Sequence, residues 1–164
     1  MLVTITKKAG FCSGAKKSFE SALSRGEGSF TLGEILHNAN VIQALEKKGI
    51  KVAKDISSLP NGATVTIRAH GIPKEYYKRL HDKRITINDA TCGSIVKIHK
   101  IVENHYMRGY KIILLGAHAN HAETVGTNGW CGNEAIIIEN DELENKTTEE
   151  IQEHILLKLK VLNK

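Results

Sequence analysis

Hydrophobic positions along this chain come in two alternating rhythms. Short runs rich in β-branched residues read as strands: Leu2–Ile5, Ser29–Leu32, Ile50–Ala53, Ala63–Ile67, Ile85–Ile87, Tyr110–Leu115 and Ala135–Ile138. Between them, apolar residues recur at helical spacing. Ala15–Leu23, Asn38–Lys48 with Val41, Ile42 and Leu45 on one side, Lys74–Lys83, Ser94–Met107 with Ile95, Ile98, Ile101 and Val102 on one side, and Glu149–Leu159 read as helices. Gly49 and Gly109 fall where two of these helices should stop. Gly10–Gly14, Leu59–Gly62 and Asn88–Gly93 read as turns or loops, and Gly116–Gly129 as a long polar loop holding at most a short helix.

Strands alternating with helices predict an α/β fold of right-handed βαβ units with mostly parallel sheets. Two lobes are expected, residues 1–91 and residues 92–164, joined by the long helix after Cys92 rather than by a flexible linker. The second lobe ends on a helix without its next strand and so reads as truncated.

Composition narrows the class. The 164 residues are 41% hydrophobic and 25% charged, the balance of a folded globular chain. No apolar run reaches the roughly 18 residues a membrane span needs, and Met1–Ile5 is too short for a secretory signal, so a cytoplasmic protein is expected. The net charge of +5 could attract nucleic acid or a small phosphorylated molecule. Lys7-Lys8, Lys16-Lys17, Lys47-Lys48 and Lys83-Arg84 are scattered pairs and aromatics are only 5%, which argues against a stacking platform for single strands. Three widely spaced cysteines, Cys12, Cys92 and Cys131, exclude a disulfide framework and a C-x-x-C knuckle.

In open parallel α/β sheets, ligands bind beyond the carboxyl ends of the strands. Chemistry-bearing residues follow the predicted strands one after another: Cys12 after the first, His37 after the second, His70 after Ile67, Cys92 after Ile87, and His121 with Glu123 after Leu115. His99, His105 and His154 fall within helices and read as surface or packing residues. Taken singly, a loop histidine is ordinarily solvated and a free cysteine is ordinarily a buried, inert thiol. Taken together they put thiols, imidazoles and a carboxylate on one face. Thiolates suit iron or zinc, imidazoles and helix N-termini suit a phosphate, and a lone carboxylate suits proton delivery. That set points to a metallocluster acting on a phosphorylated molecule.

Five blocks carry a resemblance: Gly10-Phe11-Cys12-Ser13-Gly14, Leu36-His37-Asn38, Arg68-Ala69-His70-Gly71, Asp89-Ala90-Thr91-Cys92 and His121-Ala122-Glu123, with Gly126 following. In their order and spacing the chain resembles the LytB family of 4-hydroxy-3-methylbut-2-enyl diphosphate reductases, from residue 1 to about residue 140. The resemblance implies a fold of three α/β lobes around a 4Fe-4S cluster, of which this chain would hold one complete lobe and part of a second. It implies Cys12 and Cys92 as two of three cluster ligands. It implies His37, His70 and His121 as holders of an allylic diphosphate, and Glu123 as the acid that relays protons to its hydroxyl. The implied reaction is reductive dehydroxylation to isopentenyl and dimethylallyl diphosphate, with an electron donor such as ferredoxin or flavodoxin. The family's chains are close to twice this length, and their third cysteine matches no residue here. Cys131 reads as a structural thiol, and Ala122 stands where the family usually has proline.

Three functions remain in play from sequence. The chain is part of a reductase with little or no turnover alone, a diphosphate-binding remnant module without redox chemistry, or a zinc or thiol protein. A homodimer, or a complementing C-terminal chain, is the expected partner.

Overall fold

The computed structural model describes Thr4 and residues 10–162, with side chains as far as Lys160. The strand expected over Leu2–Ile5 lies outside the described residues. The chain divides into two compact units, one running through Gly71 with Glu75–Val96, the other holding Ile72–Lys74 and Lys97 onward.

In the first unit, α1 (Ser13–Leu23), β1 (Phe30–Leu32), α2 (Ala39–Glu46), β2 (Lys51–Ala53), β3 (Thr64–Ile67), α3 (Lys74–Asp82) and β4 (Thr86–Asp89) alternate, and α4 (Gly93–Met107) begins. The sheet order is β2-β1-β3-β4 and every pairing is parallel, with Phe30 opposite both Lys51 and Val65, and Ile67 opposite Asp89. The α/β class read from the alternation is therefore observed. β3 is buried from Val65 to Ile67, as expected of a strand covered on both faces. Ala22 of α1 and Val41 and Leu45 of α2 form a buried cluster with Ile35 and Ile50 from the connecting segments, with Phe19, Leu23 and Leu36 at the margin.

Local chemistry explains the helix limits. Asn38 caps α2, its Oδ1 accepting the amides of Asn40 and Val41 at 3.0 and 3.3 Å. Gly49 ends the helix with φ +72°, and the Ile50 amide donates back to the Leu45 carbonyl at 3.1 Å. A short 3₁₀ turn at Ile56–Ser58, unread in the sequence, is capped by Asp55 and closed by Lys83, whose Nζ donates to the carbonyls of Ile56, Ser57 and Leu59. Asn88 is a strand residue rather than part of the loop the sequence suggested. Its amide donates to the Ser21 carbonyl and the Thr66 hydroxyl and accepts from Arg25 at 2.9 Å, tying α1 to β3 and β4.

The second unit holds most of α4, β5 (Ile113–Leu115), α5 (Ala122–Asn128), a 3₁₀ turn at Gly129–Cys131, β6 (Ile136–Ile138), α6 (Asn140–Leu143) and α7 (Thr148–Leu162). β5 and β6 pair in parallel, Ile113 opposite Ile136. The predicted strand Tyr110–Leu115 shrinks to its last three residues, and the predicted long loop contains α5. The apolar stripe of α4 also differs from expectation. Ile95, His99 and Val102 are buried, whereas Ile98 and Ile101 are 44% and 58% exposed. His99 belongs to the core stripe because its ring stacks on Trp130, with centroids 5.0 Å apart. Trp130 in turn donates to the Ile72 carbonyl at 3.1 Å. Glu142 joins α6 to α7 through Lys158 at 2.5 Å and His154 at 3.1 Å. Among the described residues no helix is long and apolar enough to cross a membrane.

Candidate functional site

The four described strands of the first unit run the same way, so the loops after β1, β3 and β4 leave one edge of the sheet. Gly33, at φ +74°, turns the chain sharply after β1, and His37 follows. His37 is exposed, and its Nδ1 meets the Glu34 carboxylate at 3.2 Å. After β3, the Gly71 amide closes a turn on the Arg68 carbonyl at 3.0 Å, and His70 sits half-buried within it. The two imidazole centroids are 6.3 Å apart, tilted by 42°.

After β4 the Ala90 and Cys92 amides donate to the carbonyls of Ile67 and Ala69 at 3.1 and 2.9 Å, stitching the Cys92 loop to the His70 loop. Cys12 caps α1, its sulfur accepting the Ala15 amide at 3.4 Å. Gly14, in the first turn of α1, leaves the space that the Cys92 sulfur fills. A Cβ built on Gly14 would lie 2.9 Å from that sulfur and 3.2 Å from the Cys92 Cβ. Cys12 is exposed and Cys92 partly exposed, and each opens a helix of at least eleven residues. The first unit thus sets His37 beside His70 and, separately, Cys92 against the turn capped by Cys12.

His121 and Glu123 belong to the second unit. His121 caps α5, its Nδ1 accepting the Glu123 amide at 3.3 Å, which leaves the ring proton on Nε2 as a donor. Both residues line a cavity of about 490 Å³ at the carboxyl end of β5, together with Leu115, Gly116, His118 and Thr124. A donor imidazole and a carboxylate in one cavity suit an anionic ligand that needs a proton delivered.

Two functional candidates escaped the sequence reading. Arg68 was quoted only as part of its motif. It is half-buried against Gly33, where a Cβ would meet its guanidinium at 3.1 Å, and burial pulls it below its ordinary value while Glu34 pushes back. His118 lines the second-unit cavity and carried no signal beyond its place in a polar loop.

For a metal, the donor chemistry is partial. Among the described residues no group of three or more His, Cys, Asp or Glu side chains converges as a binding set. The two described thiols nearest that edge are Cys92, whose sulfur lies against the first turn of α1, and Cys12, which caps that turn; thiolates are the donor type an iron–sulfur cluster takes. Cys131 is fully buried in the second unit, its thiol donating to the Asn128 carbonyl at 3.2 Å and pushed up by burial. That is the setting of a structural thiol.

Comparison with known proteins adds a family. A model described as LytB protein matches residues 3–163. The chain is 36% identical to a 4-hydroxy-3-methylbut-2-enyl diphosphate reductase of Clostridioides difficile (strain 630), over 99% of its own length and 60% of that protein. It is 40% identical to the reductase of the same name from Alkaliphilus oremlandii, over 87% of its own length and 52% of that protein. Among solved structures, the Plasmodium falciparum E-1-hydroxy-2-methyl-but-2-enyl-4-diphosphate reductase superposes with a TM-score of 0.77 at 28% identity, covering 86% of this chain and 46% of that one. A second reductase structure superposes with a TM-score of 0.71 at 32% identity, covering 92% of this chain and 53% of that one. The chain spans about half the length of the curated relatives it matches.

Proposed function

Since the chain belongs to the LytB family, we propose that it carries part of the active site of a 4-hydroxy-3-methylbut-2-enyl diphosphate reductase. Cys12 and Cys92 hold two thiolate positions of a 4Fe-4S cluster. His37, His70 and His121 hold the diphosphate, and Glu123 moves a proton to the allylic hydroxyl. The reaction takes up two electrons and two protons, releases the hydroxyl as water, and leaves isopentenyl or dimethylallyl diphosphate. When bound, the cluster supplies the electrons and a Lewis acid. An external donor such as ferredoxin or flavodoxin replenishes them.

This chain's own residues account for binding and proton supply. His121 has a donor at Nε2 for a phosphate oxygen, since its Nδ1 accepts the Glu123 amide. Glu123 stands in the first turn of α5, two residues from that imidazole and within the same cavity. We read residues 1–91 and 92–164 as two lobes of the family fold, the protein as cytoplasmic, and a homodimer or a complementing chain as the source of any ligand beyond the two thiols.

The observation that carries the reading is the Cys92 sulfur lying in the gap at Gly14, beside the turn that Cys12 caps. Anaerobic loading with iron and sulfide, read by iron content and visible absorbance, tests it. Cys12→Ala and Cys92→Ala should each lower bound iron, and equal iron in all three chains would refute the ligand assignment. Little turnover is expected from this chain with a reduced dye, and robust product formation would overturn that expectation. Diphosphate binding without redox chemistry is the second reading, favoured by the 6.3 Å pairing of His37 with His70. Pyrophosphate affinity lost in His37→Ala and His70→Ala, with iron binding absent, would establish it.

A further inference from the structure

Behind Cys92 stands a group of polar side chains that the reading above does not use. Asp89 is the last residue of β4. Its Oδ1 accepts the Thr91 amide at 2.9 Å and the Thr91 hydroxyl at 2.5 Å. Its Oδ2 accepts the Tyr77 hydroxyl at 2.7 Å. One carboxylate therefore gathers three donors, two from the loop and one from α3. Thr91 is only 8% exposed. Burial, and after it the Asp89 carboxylate, raise the Tyr77 phenol well above its ordinary value, so the hydroxyl keeps its proton and stays a donor.

The consequence falls on the next residue. Between the end of β4 and the start of α4, the amides of Ala90, Thr91 and Cys92 are all engaged, by Ile67, Asp89 and Ala69. On the other side the Cys92 carbonyl accepts the Val96 amide at 2.9 Å, so the backbone is held around Cys92 and the direction of its thiol is set by a single rotatable bond. That thiol fills the gap left by Gly14.

We propose that Tyr77, Asp89 and Thr91 are positioning residues that brace the Cys92 thiol against the first turn of α1 before any metal arrives. The proposal rests on the reading of Cys92 as a ligand and extends it, by giving α3 a part in presenting that ligand. A ligand already in place loses less freedom when the metal binds, and supporting hydrogen bonds one layer out are what hold it there. If the brace is loosened, the loop samples open conformations, and the partly exposed thiol becomes more reachable in proportion to their population.

The test is cysteine alkylation in the 164-residue chain, kept reduced and metal-free. Limiting iodoacetamide is added, and the rate at each cysteine is read by peptide mass spectrometry. Exposed Cys12 and buried Cys131 serve as internal references. Asp89→Ala should speed Cys92 about tenfold, the effect of losing a charge-assisted hydrogen bond. Tyr77→Phe should speed it about threefold, with Thr91→Val between the two, while Cys12 and Cys131 keep their rates. Unchanged or slower Cys92 alkylation in these variants, or an equal rise at all three cysteines, overturns the brace. Should Asp89→Ala fail to fold, Tyr77→Phe removes one hydroxyl and decides alone. Iron loading of Cys92→Ala judges the ligand reading separately. Iron content equal to that of the unaltered chain sinks the ligand role, whereas the brace stands or falls on the alkylation rates.

Discussion

Gly14→Ala is a change that helix propensity alone would favour. Gly14 lies in the first turn of α1 and its φ is not positive, so alanine is allowed there and should stabilise the helix by at most about 1 kcal/mol. The tertiary contact opposes it. The new methyl would lie 2.9 Å from the Cys92 sulfur, inside any normal contact. Overpacking of this kind costs about 1–3 kcal/mol. The net expectation is a loss of about 0–3 kcal/mol, accompanied by a displaced thiol and reduced iron loading. In a Cys92→Ala background the sulfur is gone. Only the residue 92 Cβ remains, at 3.2 Å, which a shift of a few tenths of an ångström relieves. There the same substitution should be neutral or stabilising. The double-mutant cycle should therefore return a coupling of about 1–3 kcal/mol. Urea unfolding of the four chains under reducing conditions measures it, with equal m-values showing that only stability changed. Zero coupling would refute the placement of Cys92 against α1, and with it the main support for a two-thiol site.

Two further outcomes follow from contacts away from the thiols. Lys83→Met removes an ammonium that donates to the Ile56, Ser57 and Leu59 carbonyls, and should cost about 1.5–3 kcal/mol in urea unfolding; a loss under half a kcal/mol would mean that water replaces those bonds without penalty. Glu142 is held at about 2, below the ordinary 4.5, chiefly by Lys158, then by the Glu139 amide and His154. A depressed carboxyl contributes stability above its unfolded value and loses it as pH falls through the folded one. Glu142→Gln should therefore lower Tm at pH 7, and the difference should close as pH drops from 4.5 toward 2. A Tm gap that stays constant over that range would show that the carboxylate charge is irrelevant.

The alternation that predicted an α/β fold was legible because each element carries its own stop signal. Asn38 caps α2 with its side chain, and Gly49 and Gly109 adopt φ of +72° and +82° where two helices end. What stayed hidden depends on partners distant in sequence. The α4 stripe was read through Ile98 and Ile101 because isoleucine is the more apolar residue. His99 took the buried place because Trp130, thirty-one positions on, offers a ring to stack against. The short helix allowed within Gly116–Gly129 is α5, and its start stayed unmarked because its cap is a histidine, a residue that ordinarily signals no helix start. His37, His70, Cys92, His121 and Glu123 do follow described strands as the pattern suggested, while the strand expected before Cys12 lies outside the described residues. The Gly14 gap, the desolvated Arg68 and the Asp89 hub were not legible, since each exists only once β3, β4 and the helices have come together.

The strand order of the first unit also says how long the chain waits for its site. β1 lies between β2 and β3, and among the described residues all pairings are parallel, so none of these strands starts the sheet as a hairpin. Phe30 must find Val65 across an intervening helix and strand before the loops bearing His37 and His70 can face each other. Contacts of such separation close slowly, because the chain loses loop entropy before any pairing rewards it. The Cys92 loop is later still, since it is stitched to β3 through Ile67 and Ala69. The Cys12 thiol thus precedes in the chain every strand pairing that gives the second thiol its place, and it is exposed even in the folded unit.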